Sequence, residues 1–126
     1  MAETTQQRDT IVRPQDAVRM IEELNAAGVI GRMNVMLLGP SLRLIKAVAL
    51  NDDTLEGIKE ILDYVQDSED AAVILVHRRE AFTDQAMRLY AQKARSELRM
   101  ADARLLDQFV VDANGSVTRV LDLPTH

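Results

Sequence analysis

Apolar residues recur at helical spacing in three stretches of the chain and gather into short runs in five others. Ala17, Met20, Ile21 and Leu24 fall at i, i+3, i+4 and i+7, one face of a helix that Pro14 opens and Gly28 stops. Residues 34–38 form a short apolar run, and Gly39, Pro40 and Ser41 make a turn. Residues 42–50 resume with Leu42, Leu44, Ala47 and Val48 set among Arg43 and Lys46, so the two runs read as a hairpin. Asn51 or Asp52 is expected to cap the next helix, where Leu55, Ile58, Ile61, Leu62 and Val65 form a stripe. Residues 71–77 are almost continuously apolar and rich in β-branched residues, the mark of a strand covered on both faces and central in its sheet. A long helix over about 82–98 follows, with Phe82, Ala86, Leu89, Lys93 and Ala94 as its face. Residues 105–111 read as a strand, Asn114-Gly115 as a hairpin turn, and 116–121 as the last strand. The order is α-β-β-α-β-α-β-β. It predicts an α/β fold, a single domain over residues 11–123 with a mixed β-sheet flanked by helices, after a disordered polar tail at 1–10.

Composition narrows the chemistry. The 126 residues hold no cysteine and two histidines, His77 and His126. Disulfide frameworks, thiolate zinc sites, iron–sulfur clusters and a cysteine nucleophile are therefore excluded. A zinc site with two histidines would need His126 to fold back into it. Fifteen Lys+Arg against twenty Asp+Glu leave a net charge of −5, which together with 3% aromatics counts against direct DNA binding. No apolar run is long enough to span a membrane, and the first ten residues lack a signal peptide's apolar core. Without cysteine or an export signal, the reading is a cytoplasmic protein.

His77 ends the apolar run and precedes a helix, and the carboxyl ends of strands are where α/β sheets bind ligands. His77, Glu80 and Asp84 could converge as a metal site if that helix begins early. The plainer reading is a strand-end histidine followed by charges that solvate a helix start. Arg78 and Arg79 could instead bind an anion beside the helix N-terminus. Ser41, Thr54, Thr83 and Ser116 have no base partner in view and read as cap or turn residues.

Three stretches in combination resemble the RadC-like branch of the JAB/MPN (JAMM) metallopeptidase-like domain. They are IVRPQDAVRMIEEL with MNVMLLGPSLRLIKAVAL, then TLEGIKEILDYVQDSEDAAVILVH, then ARLLDQFVVDANGSV, together covering roughly residues 11–121. The resemblance implies the family's cytidine-deaminase-like sheet flanked by helices. It also implies a bacterial protein linked by name to DNA repair. The family's zinc site uses His-x-His-Pro, a downstream Ser-x-x-Asp and a distant glutamate as general base. His77 matches the first histidine, and the second falls on Arg79. The loop after it is replaced by Glu80-Ala81-Phe82-Thr83, and the zinc aspartate corresponds to Asp84 across a deletion. Arg32 and Met33 stand where the glutamate is expected. Gln108 replaces the histidine after the closing Leu-Leu-Asp, while Asp107 is kept, either beside the site or as a strand-end cap.

A guanidinium has no acceptor and stays protonated, so Arg79 cannot bind zinc. The resemblance thus implies a degenerate domain, a pseudoenzyme without metallopeptidase activity that serves as a binding or interaction module. Its expected cleft holds His77, Arg79, Asp84, Arg32 and Asp107, with no cofactor, and its partner is a protein or a small anionic ligand. Inactive members of the family often act as scaffolds in dimers, so a homodimer is also implied. The alternatives are a zinc-dependent hydrolase with a rearranged site of His77, Glu80 and Asp84, and a DNA-repair role.

Overall fold

The structure, a computed structural model, describes residues 10–68 and 70–123. Most of the expected tail and the terminal His126 lie outside those residues. Thr10, placed in the tail by its sequence, instead bridges Arg43 in antiparallel fashion.

Helix α1 spans Pro14–Ala26. Asp16 accepts the backbone N–H groups of Val12 and Arg13, each at 2.9 Å, which fixes the entry of the helix. It buries Ala17, Met20 and Ile21. Strands β1 (Met33–Leu38) and β2 (Leu44–Ala49) form the expected antiparallel hairpin. Their link turns sharply through Ser41 (φ 60°) and Leu42 (φ 56°), a left-handed conformation that costs L-residues about 1–2 kcal/mol each.

Helix α2 spans Ile58–Gln66 and packs Ile58, Ile61 and Val65 inward. Its start differs from the expectation at Asn51 or Asp52. Thr54 caps a short turn, Leu55–Gly57, that leads into the helix, accepting the Glu56 N–H. Asp52 supports that cap by accepting both the Thr54 N–H (2.8 Å) and its hydroxyl (2.6 Å). Gly57 is required by space: a Cβ there would sit 2.2 Å from the Asp52 carbonyl oxygen.

Strand β3 (Ala72–Arg78) lies third in the five-strand order β2-β1-β3-β4-β5 and is buried from Ala72 to His77. It runs antiparallel to β1 and parallel to β4 (Arg104–Val111). A parallel pair needs a long crossover, supplied here by helix α3, Asp84–Met100. The buried stripe of α3 corrects the expected one. Thr83 caps the helix, so it starts two residues later than expected and buries Met87, Tyr90, Ala91, Ala94 and Leu98. Leu89 is half exposed, and Lys93 reaches Glu97 at the surface. The observed stripe covers more apolar area than a face centred on Leu89 and Lys93 would. Strand β5 (Val117–Arg119) closes the second hairpin through Gly115 (φ 88°), but it is shorter than expected because the chain turns away at Val120–Asp122.

The sheet has two buried faces, and alternation along β3 feeds both. Val73 and Leu75 meet Ile61, Tyr90 and Leu98 under α2 and α3. Ile74 and Val76 meet Met20, Ile21 and Phe109 under α1. Among the described residues the result is a mixed α/β domain with a five-strand sheet and three α-helices.

Candidate functional site

His77 is the last fully buried residue of β3, and its ring lies on the α2/α3 face. Phe82 and Tyr90 meet it edge-on, with ring centroids at 4.6 and 5.5 Å. The Gln108 side-chain nitrogen lies 2.7 Å from His77 Nε2 and 2.7 Å from the Met87 carbonyl oxygen. Only an NH2 group can serve a carbonyl, so the amide orientation is fixed and Gln108 donates to both. His77 Nε2 is then an acceptor and the ring proton sits on Nδ1. That atom is buried with no hydrogen-bond partner among the described residues, as is the Tyr90 hydroxyl.

Burial pushes the His77 pKa down to about 3, so the imidazole is neutral over the ordinary pH range. For Tyr90, burial foremost and then the carboxylates of Asp52, Glu60 and Asp53 raise the pKa, so it stays a neutral phenol. Asn34 ties the strand ends together. It accepts the Gly31 N–H and donates to the carbonyls of Gly31 and Val76.

Arg79 follows β3 in the short turn Arg79–Ala81. Its guanidinium pairs with Asp84 at the start of α3 and with Asp112 just beyond β4, the latter at 3.4 Å. Asp84 foremost and Asp112 next raise its pKa and hold the charge. Arg79 therefore bridges the start of α3 and the residue after β4 with its own ion pairs. Arg78 is engaged as well, donating to the Asn25 side chain (2.9 Å) and the Ile30 carbonyl (3.1 Å). Neither arginine is left without a partner to face an anion.

The residues expected in one cleft are thus distributed. Arg79 and Asp84 come together. His77 lies behind Phe82 in the core. Arg32 turns to Asp53 at 2.5 Å on the surface. Asp107 lies on the opposite face of the sheet, paired with Arg119 at 3.0 Å. Glu80 is exposed, and among the described residues no three His, Asp or Glu side chains gather in a group that could hold a metal. Sequence reading missed Gln108, Tyr90 and Asp112 as partners of His77 and Arg79. Their signal is geometric, because each comes from a different element.

Chemically, the arrangement is a neutral imidazole whose Nε2 is held by an amide, beside a cation neutralised by two carboxylates. This defines a mixed α/β domain with a closed polar centre at the carboxyl end of its middle strand. Comparison with protein-family models, curated proteins and solved structures finds no match to the chain.

Proposed function

We propose that the chain is a degenerate RadC-like JAB/MPN domain, without metallopeptidase activity, that acts as a binding or interaction module. One observation carries the reading: the Gln108 amide occupies His77 Nε2 while Arg79 stands two residues on, already held by Asp84 and Asp112. Catalytic zinc takes three protein ligands and keeps one position for water. The donor set does not fit it. His77 turns an occupied nitrogen toward Gln108, Arg79 brings a permanent positive charge, and Asp84 is committed to Arg79. A general base would also need a pKa near the working pH, which a ring titrating at about 3 does not offer.

Support for the fold assignment lies in the three stretches matched above and in the position of His77 at the end of the middle strand. The test is metal analysis of the chain purified without chelator, beside a peptidase and isopeptidase assay. Zinc well below one atom per chain and no zinc-dependent activity are the expected results. One tightly bound zinc per chain, removed together with an activity, overturns the reading.

A further inference from the structure

We infer that the open half of β4, with the arginine side of α3, forms a docking groove for an extended acidic peptide that joins the sheet as a sixth strand. β5 pairs only with Phe109–Val111. From Gln108 back to Arg104, β4 has β3 on one side and no strand on the other among the described residues. The Gln108 backbone N–H shows the gap directly: it is capped by the Asp107 carboxylate at 2.9 Å, not by a strand carbonyl. An uncovered edge is a template for a further strand, and an inward charge such as Asp107 is a device that keeps it from pairing indiscriminately.

A cavity of about 360 Å³ runs beside this edge. Leu105, Leu106, Val120 and Leu121 give it apolar walls, and Leu121 is 75% exposed. Arg88, Arg95 and Arg119 give it charge. The only carboxylate in the lining, Asp107, is already held by Arg119 at 3.0 Å. Arg95 has no carboxylate partner among the described residues. A chain with net charge −5 therefore presents two guanidiniums here, Arg88 and Arg95, beyond the Arg119–Asp107 pair.

An extended peptide fits both features at once. Alternate side chains point to opposite faces of a strand, so one set can meet the leucines while carboxylates meet the arginines. Five open residues span about 16 Å at roughly 3.3 Å each, longer than a small anion needs. Nucleic acid fits less well, because the groove offers no aromatic side chain for a base.

The inference rests on the binding-module reading and deepens it by naming the surface and the partner chemistry. The experiment titrates the 15N-labelled full chain with an acetylated six-residue peptide of alternating Asp and Leu, up to millimolar concentration. A Lys/Leu peptide and oligo-dT serve as comparisons. Saturable shifts at the amides of Leu105, Leu106, Asp107 and Gln108 are expected, with affinity at least tenfold weaker in Arg88→Glu and Arg95→Glu. Absence of saturable shifts, an equal response to the Lys/Leu peptide, or a stronger response to oligo-dT at the same residues overturns the groove. A zinc-free, inactive chain that ignores the Asp/Leu peptide removes the groove and leaves the module reading standing. A zinc-loaded, active chain that still binds the peptide at β4 does the reverse.

Discussion

Replacing Gln108 with leucine tests the closed polar centre most directly. The side chains are similar in size, so the change is largely one of hydrogen bonding. The Gln108 amide makes two buried bonds, each 2.7 Å long, to His77 Nε2 and to the Met87 carbonyl. Each such bond contributes about 1 kcal/mol net, and a buried polar atom left unpaired costs about 1–3 kcal/mol. His77 already carries one ring nitrogen without a partner among the described residues, so the variant strands the whole imidazole between the rings of Phe82 and Tyr90. A loss of about 2–4 kcal/mol is expected. With a urea m-value of about 2 kcal/mol/M, the midpoint falls by roughly 1–2 M. The double variant with His77→Leu makes the test specific. It removes the ring and its donor together, so its cost should fall short of the two single costs added by about 1–2 kcal/mol. A Gln108→Leu loss below about 0.5 kcal/mol, or additive costs, would refute the hydrogen bond and with it the proton on Nδ1.

Two further outcomes follow from the same centre, and a third from the turn before α2. His77 titrates at about 3 when folded and near 6.5 when unfolded, so the unfolded chain binds the extra proton between those values. Stability is then full above about pH 6.5 and falls toward pH 3, with a slope approaching about 1.4 kcal/mol per unit. Urea melts between pH 6.5 and 5.5, above the range where most carboxylates titrate, should show that slope developing in the parent and lose it in His77→Leu; identical slopes would sink the assignment. Tyr90→Phe removes a buried hydroxyl with no partner among the described residues, so the Tm should hold or rise by a few degrees, and a loss above about 1 kcal/mol would reveal a bridging group. Gly57→Ala forces a Cβ to within 2.2 Å of the Asp52 carbonyl oxygen. Backbone must move, at a cost of about 1–3 kcal/mol by thermal or urea melts, and an unchanged midpoint would show that the turn has room.

The elements themselves were largely legible because burial writes a period into the sequence. The apolar run at 71–76, short and rich in β-branched residues, reads as a strand covered on both sides, and β3 is that strand. Pro14 and Gly28 bracket α1 as helix chemistry requires. Misreadings arose where a competing local signal was as strong. Asn51, Asp52 and Thr54 are all good caps, and the choice among them depends on the close packing at Gly57, which no period records. In α3, two alanine-rich faces compete, and Tyr90 decides between them only because β3 below offers His77, and the turn after it offers Phe82, as neighbours.

The site was harder to read because it depends on which face a strand residue takes, and one extra residue reverses that. Val73 pairs with Leu105, but the next residue, Ile74, pairs with Asp107, leaving Leu106 as a bulge. In a regular strand Leu105 and Asp107 would share a face, and Asp107 would lie on the side of His77. The bulge sends Leu106 and Asp107 both toward the α1 face, where Leu106 packs near Ile74 and Asp107 meets Arg119. Gln108 is thereby turned to the α2/α3 face and delivered to the imidazole. The swap has opposite consequences for the ring. A carboxylate at that position would favour the protonated imidazole and hold its pKa up, whereas an amide leaves burial unopposed and the ring neutral. The same slip places the displaced carboxylate at the open edge of β4, where it caps the Gln108 N–H. A single bulge thus sets both the inertness of the buried histidine and the state of the edge proposed to receive a partner.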